Sequence, residues 1–573
     1  MGGIKILLAI YGLLQFAWGY SFDGNWTDQG QNGVVTSESA ICSRAGLSMF
    51  QKGGNAVDAI VANIFCVGVV GCHNSGISGG GFALIRMPNN TYESVDFREE
   101  APAAAFTKMF DGNNRASMVG GNATGVPGQI RGLDYLLKKY GNLSWSTVIE
   151  PSIEVANTGF PVPSDMAFGI GYALNISPPT GPDNKTFFQN PAWSPDFAPN
   201  GTVVGYQDHI TRKRYANTLR NISIGGADSF YNGYIADTMI DTIKKENGIM
   251  TKKDLESYDI KHRKILQSNY NGYNLTTTTM PSSGAVVLNV LGIVDQYPDF
   301  FSGPKTVNLS THRMVEAIKF GYGYRNMFGD PDFNTQNLTG LEAEMVAPKN
   351  LERLRGKIND SSTNPATGWY DPAHVWSPQA VGTSAMSAAD KDGLTISVTT
   401  TVNLPFGNQV MVPETGIILN SQMDDFAQPF TEGKPGYPVS ANNFVQPKKR
   451  PQSSISPIIA THPNGTVAFI TGSAGGRHIP SAVIQVLVAA LRRNESPFNA
   501  LNTSRLHHQL FPNQVEVLPT FDNVTVDSLR RRNHKIVRVE GLQSMAQAIR
   551  RFTNGTFWAA SEPAQLQSGG YAF

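Results

Sequence analysis

The segment Thr383–Val402 reads TSAMSAADKDGLTISVTTTV. Two runs of small and β-branched residues, Thr383–Ala389 and Leu394–Val402, flank Asp390-Lys391-Asp392-Gly393, a pattern that predicts an antiparallel hairpin. A second pair of runs, Ile455–Thr461 and Thr466–Gly472, flanks Pro463-Asn464-Gly465. Ser473-Ala474-Gly475-Gly476 then leads into Pro480–Arg492, where a proline near the first turn and an apolar interior predict a helix. Upstream, helical spacing over Ser37–Gln51 stops at Gly53-Gly54. Asn55 then caps a second helix with Asp58 at the capping-box position. Val57, Ile60, Val61, Ile64 and Phe65 make that helix apolar on most faces, so it is buried. Strands follow at Phe82–Met87 and Tyr92–Arg98, and helical stretches at 208–246 and 311–327. Hairpins enclosed by helices predict a layered helix–sheet–sheet–helix body rather than a βαβ series.

Length and composition bound the rest. The 573 residues exceed the usual single-core size and suggest several domains, yet no repeat or linker-like tract divides the chain. A formal net charge of +1 argues against an electrostatic nucleic-acid binder. Hydrophobic residues at 40% exclude global disorder, while charged residues at 16% fall below the roughly 25% of an average soluble protein. Something other than charge must make the surface polar. Seventeen N-x-[ST] sequons supply a candidate, N-linked glycans.

The N-terminus agrees with that reading. Lys5 precedes an apolar run, Ile6–Trp18, that is shorter than the roughly 20 residues of a membrane span. Ala17-Trp18-Gly19 fits a signal-peptidase site, giving a signal over 1–19, Tyr20 as the first mature residue, and a secreted protein. The alternative is an uncleaved anchor holding the chain on the extracellular face of the plasma membrane. In an oxidising compartment the three cysteines, Cys42, Cys66 and Cys72, imply one disulfide and one leftover thiol, with three pairings open. The Gly-Gly turn between the first two helices favours Cys42 with Cys66. No CxxC or HExxH spacing points to zinc, and the adjacent His507-His508 pair is poorly placed to converge on one ion.

Several motifs invite chemical readings. Gly76–Gly81 (GISGGG) lacks the GK[ST] ending of a phosphate loop and follows a helix, so it marks a backbone that passes something closely. Arg530-Arg531-Arg532 on a surface helix reads as a solvated face. Gly475-Gly476, at a strand-to-helix turn, can aim consecutive amides at an anion or oxyanion. Gln422, Asp424 and Asp425 in NSQMDDF could hold an ammonium group or cap a turn. Composition and spacing single out no nucleophile.

Eight motifs carry a resemblance across nearly the whole mature chain: GGNAVDA (Gly53–Ala59), SGISGGGF (Ser75–Phe82), DFREEAP (Asp96–Pro102), TVNLPFGNQV (Thr401–Val410), GIILNSQMDDF (Gly416–Phe426), PQSSISP (Pro451–Pro457), SAGGRHI (Ser473–Ile479) and RLHHQLFPN (Arg505–Asn513). In this combination and order the sequence resembles the gamma-glutamyltranspeptidases, N-terminal-nucleophile hydrolases with a four-layer αββα sandwich. The resemblance implies a precursor that cuts itself before Thr383, giving a large chain of 20–382 and a small chain of 383–573 that stay together as a heterodimer. It also places a disulfide at Cys42 and Cys66.

The same resemblance assigns roles. Thr383 is the nucleophile, Thr401 orients it, and Gly475 and Gly476 hold the oxyanion. Arg98, Ser453 and Ser454 take the α-carboxylate of a glutamyl head, and Asn403, Gln422 and Asp425 take its α-amine. Glutathione and other γ-glutamyl compounds are the implied donors, water, amino acids or dipeptides the acceptors, and neither cofactor nor metal is implied. Because Arg98 and Asp425 suit a zwitterionic head, acylation by a β-lactam or glutaryl amide is disfavoured. The sequence departs from the family pattern at Ala385, where many members carry histidine, and at Pro405 and Arg477-His478. A non-catalytic secreted homologue acting as a binding or effector protein is the rival reading.

Overall fold

The computed structural model describes residues 26–179, 185–333, 338–375, 382–429, 438–540 and 544–573. The expected signal over 1–19 and the stretch 376–381 ahead of Gly382 lie outside them. Two seven-stranded sheets form the body. In the first, the order is Gly569–Ala572, Gly33–Ser37, Ser384–Asp390, Thr395–Thr401, Gly80–Arg86, Tyr92–Asp96 and Lys261–Arg263. In the second it is Thr27–Gly30, Phe557–Ser561, Met545–Arg551, Val467–Ala474, Ile458–Thr461, Tyr273–Thr278 and Ile265–Tyr270. Neighbouring strands in both sheets run antiparallel.

Alternation along each strand builds the layers. Met386, Ala388, Ile396 and Val398 join the helices on the outer face of the first sheet. Leu84, Ala389, Ile459, Ile470, Ile549 and Ala559 meet between the two sheets. Ile458, Phe469, Ala546 and Ala548 face the helices that cover the second sheet. A strand buried on both faces needs no polar alternation, which is why Ser384–Asp390 and Thr395–Thr401 are buried along their whole length. The architecture is the four-layer αββα sandwich of an N-terminal-nucleophile hydrolase. Strands from before and after Thr383 interleave in both sheets.

Most elements fall where the pattern put them, with shifted ends. The first helix is Ala40–Gln51, capped by Ser39, whose hydroxyl accepts from the Cys42 amide. In the second, Ala56–Val70, the Asn55 side chain accepts from the Val57 and Asp58 amides while Asp58 accepts from the Asn55 amide, and all fifteen residues are buried. The 208–246 stretch divides into Lys213–Gly225, Asp228–Tyr231 and Tyr234–Lys245, broken at Gly226 and Gly233. Both breaks have positive φ, 64° and 74°, which ends a right-handed helix.

The Gly-Gly turn folds the first two helices together, and Cys42 and Cys66 form a disulfide with Cα atoms 5.1 Å apart; Cys72 is free and buried. Closing a loop of that length restricts the unfolded chain by about 3 kcal/mol. A Cys42→Ala/Cys66→Ala chain should therefore be less stable than the parent by about that free energy, read from equilibrium urea unfolding.

Candidate active site

Thr383 precedes the first strand of the hairpin and Thr401 ends the second. The register pairs Ser384 with Thr400, so the two hydroxyl residues sit side by side at one end of the sheet. Gly382 turns the chain into this strand with φ 113°, and a Cβ there would lie 1.9 Å from the Asn403 carbonyl. Only glycine fits. The Thr383 hydroxyl donates to the Gly382 carbonyl, and Thr401 Oγ1 donates to the same oxygen at 2.8 Å. The Asn403 amide donates to Thr401 Oγ1 at 2.8 Å, which leaves the Thr401 proton to point at Gly382.

The glycine-rich loop accounts for how closely these strands pack. A Cβ on Gly79 would meet the Thr401 carbonyl at 2.2 Å, and one on Gly81 the Thr399 carbonyl at 2.1 Å. The close approach expected from GISGGG is thus to the strand that carries Thr401.

The second sheet brings the Gly-Gly turn to the same place. Strand Val467–Ala474 ends in Gly475 and Gly476, with φ 112° and 54°, before the helix Ile479–Leu487 begins. Neither glycine amide is taken up by a backbone acceptor among the described residues, so both remain available to an oxyanion.

One cavity is lined by Thr383, Thr401, Asn403, Gly476, Arg98, Asp425, Ser453 and Ser454. Gln422 stands behind Asp425, its amide donating to the carboxylate at 2.6 Å, and Gly475 adjoins Gly476 at the turn. Arg98 forms an ion pair with Asp425 and donates to the Gln452 carbonyl at 3.2 Å. Burial pushes the Asp425 carboxyl above its ordinary value, against the pull of Arg98 and Gln422. Asn403, held at φ 74°, donates its side-chain amide to the Ser421 carbonyl at 2.8 Å. Asp424 turns elsewhere and accepts from the Ser117 hydroxyl at 2.6 Å.

Four lining residues were given no role from the sequence: Arg325, Gln452, Ile455 and Ile479. Arg325, at the end of helix Val307–Arg325, donates to Ser454 Oγ at 2.8 Å and to Ser283 Oγ at 3.0 Å. Burial lowers its pKa to about 10, which leaves it charged at neutral pH. Glu99, outside the cavity wall, lies 3.9 Å from Arg98 and is pushed up to about 8 by burial, so it is largely neutral beside Arg98 at pH 7. The cavity therefore offers two guanidinium groups and one carboxylate flanking a pair of threonine hydroxyls.

Comparison with known proteins identifies relatives of this arrangement. The sequence pattern of the Gamma-glutamyltranspeptidase family matches residues 42–571. A glutathione hydrolase of Aspergillus flavus is 42% identical over 573 residues, covering 99% of this chain and 94% of its own. A glutathione hydrolase proenzyme of Arthroderma benhamiae is 43% identical over 555 residues, covering 94% and 93%. Among solved structures, the cephalosporin acylase of Bacillus halodurans superimposes with a TM-score of 0.82 over 97% of this chain and 98% of its own, at 23% identity, a likeness of fold. With its sandwich and its paired threonines, the chain belongs to the gamma-glutamyltranspeptidase family of N-terminal-nucleophile hydrolases.

Proposed function

We propose that this protein is a glutathione hydrolase and γ-glutamyl transferase that cuts itself before Thr383 and then uses Thr383 as its nucleophile. The observation that carries the reading is the contact of the Thr383 hydroxyl with the Gly382 carbonyl, beside a cavity bearing Arg98 and Asp425. In the precursor, Thr383 Oγ attacks the Gly382 carbonyl carbon while Thr401 Oγ1 stabilises the developing oxyanion. The C–N bond breaks, the amine takes a proton, and water hydrolyses the resulting ester. Residues 20–382 and 383–573 then remain one body through the interleaved strands.

The freed α-amine of Thr383, with a reference pKa near 8, is a competent base at neutral pH. It accepts the hydroxyl proton as Thr383 Oγ attacks the γ-carbonyl of a glutamyl amide, and the amides of Gly475 and Gly476 receive the oxyanion. The leaving amine departs protonated. Water then resolves the γ-glutamyl ester by hydrolysis, and an amino acid or dipeptide resolves it by transfer. Arg98, with the hydroxyls of Ser453 and Ser454, reads the α-carboxylate; Asp425, supported by Gln422 and Asn403, reads the α-ammonium. Relatives named glutathione hydrolase support glutathione as the donor.

A secreted glycoprotein is the setting we favour. Among the described residues no helix is long and apolar enough to cross a membrane, and no sequon asparagine there is buried.

The test is expression of the mature chain, with electrophoresis for two fragments and an assay of γ-glutamyl anilide release. One uncut chain without release would sink the enzyme reading in favour of the non-catalytic homologue. Thr401→Val keeps the shape and removes the donor to Gly382, so self-cleavage should slow by about 10²–10³-fold, read from precursor decay on gels.

A further inference from the structure

A second polar site lies behind the Gly475-Gly476 turn. His478 precedes the helix Ile479–Leu487, His507 ends the short strand Leu506–His507, and Glu516 lies on Val515–Val517. One donor atom from each of the three lies within 4.8 Å of the others. All three line a cavity that does not include the threonine pair. The two imidazole rings are 4.0 Å apart between centroids.

The hydrogen bonds around these rings leave an electrostatic conflict. His478 Nδ1 faces the Gly475 carbonyl at 3.4 Å, and its Nε2 faces Glu516 Oε2 at 3.2 Å. A neutral imidazole has one N–H and here meets two acceptors, so one lone pair faces an oxygen. A cation between Nε2 and the carboxylate removes the conflict. His507 is prepared in a similar way. The Gln509 amide nitrogen donates to the Phe511 carbonyl at 2.7 Å, so its oxygen accepts from His507 Nε2–H at 3.0 Å. That tautomer turns the Nδ1 lone pair toward Ser481 Oγ at 2.8 Å, whose own proton goes to the His478 carbonyl at 2.9 Å, so two lone pairs face each other and a metal at Nδ1 would replace that contact. Ring N–H groups held by a carbonyl and an amide oxygen are the outer contacts that orient metal-bound histidines. Arg505, also in the cavity wall, is neutralised by Glu562 at 2.6 Å.

The other His/Glu cluster among the described residues lacks this character. His312 Nδ1 and His534 Nε2 bond each other at 2.8 Å, and Glu316 is bonded by Lys319, Thr363 and Tyr370. Its donors are consumed.

We propose that His478, His507 and Glu516 bind one divalent transition-metal ion of the zinc class. Two imidazoles and a carboxylate are a common N/O set for zinc, and the cavity leaves a position for water. The sequence could not announce the site. His507 pairs with His478 across the fold, not with its neighbour His508, and Arg477-His478 is where the chain departs from its family pattern.

The test uses the processed protein stripped with a chelator and titrated with Co²⁺ and then Zn²⁺ alone. Wild type should take up one equivalent of Co²⁺ with the visible absorption of a four- or five-coordinate N/O site, and Zn²⁺ should displace it. His478→Asn and Glu516→Gln should each weaken Zn²⁺ binding by about 30-fold or more, while His312→Asn leaves it unchanged. The cobalt spectrum of wild type depends on no variant's folding. Absence of that band, or binding unaltered in both His478→Asn and Glu516→Gln, would overturn the proposal.

Discussion

Thr383→Ala should remain a single uncut chain and release no anilide, a loss of at least about 10⁴-fold in turnover. Both consequences follow from one atom. In the proposed mechanism the hydroxyl that lies against the Gly382 carbonyl is the attacking group in self-cleavage. The same oxygen, once the α-amine is free, attacks the substrate. Alanine removes it and leaves the backbone able to keep its place, since the strand is held by its pairing with Thr395–Thr401 and Gly33–Ser37. Thr383→Ser is the necessary companion. It keeps an Oγ and generates a free amine on cleavage, so it should cut and turn over, more slowly because the methyl that fixes its rotamer is gone. An alanine variant that still separates into 20–382 and 383–573 would place the nucleophile elsewhere. One that stays whole yet hydrolyses would show that the mature amine is not the base.

The residues that made the sandwich legible are those whose neighbours are local. The hairpin around Asp390–Gly393 and the Asn55 capping box depend on side chains within a few positions, so pattern and structure agree there. The Gly475-Gly476 turn was legible as a strand-to-helix junction, while its reading as an oxyanion site needed the family resemblance. Thr383 was not, since what sets it apart from the other threonines is the Thr401 hydroxyl brought onto the preceding Gly382 carbonyl, which only sheet pairing creates. Resemblance to a family supplied what the residues alone could not. Arg325 lies in the 311–327 stretch, which read only as helical, and its contact with Ser454 is made far along the chain. At Gln452 the group that meets Arg98 is a main-chain carbonyl, so residue type carries no information. Ala385, which departs from the family pattern, faces the gap between the sheets, where a Cβ on Gly472 would lie 3.7 Å from its own. The small side chain there belongs to the close approach of the two sheets.

Asp425→Ala should cost about 10²-fold in kcat/KM for a γ-glutamyl anilide and much less for a glutaryl anilide. In the substrate-free cavity Arg98 and Asp425 neutralise each other. A zwitterionic glutamyl head exchanges that internal pair for two new ones, carboxylate to Arg98 and ammonium to Asp425, so little charge is left unpaired on binding. Removing the carboxylate deletes a charge-assisted hydrogen bond to the ammonium, about 1.5–3 kcal/mol, or roughly one to two powers of ten. A glutaryl amide carries no ammonium and never formed that bond. The ratio of the two kcat/KM values should therefore collapse, chiefly through KM for the glutamyl substrate, because the head group is held equally before and during acyl transfer. The variant should also lose stability, since Arg98, almost wholly buried, keeps the Gln452 carbonyl but loses its counter-charge. Breaking one side of a buried pair costs about 3–5 kcal/mol, visible as a lower urea midpoint. The substrate ratio separates the two effects, because a merely destabilised site would handicap both anilides alike. Equal losses for both would assign Asp425 a structural role and leave the ammonium to another partner.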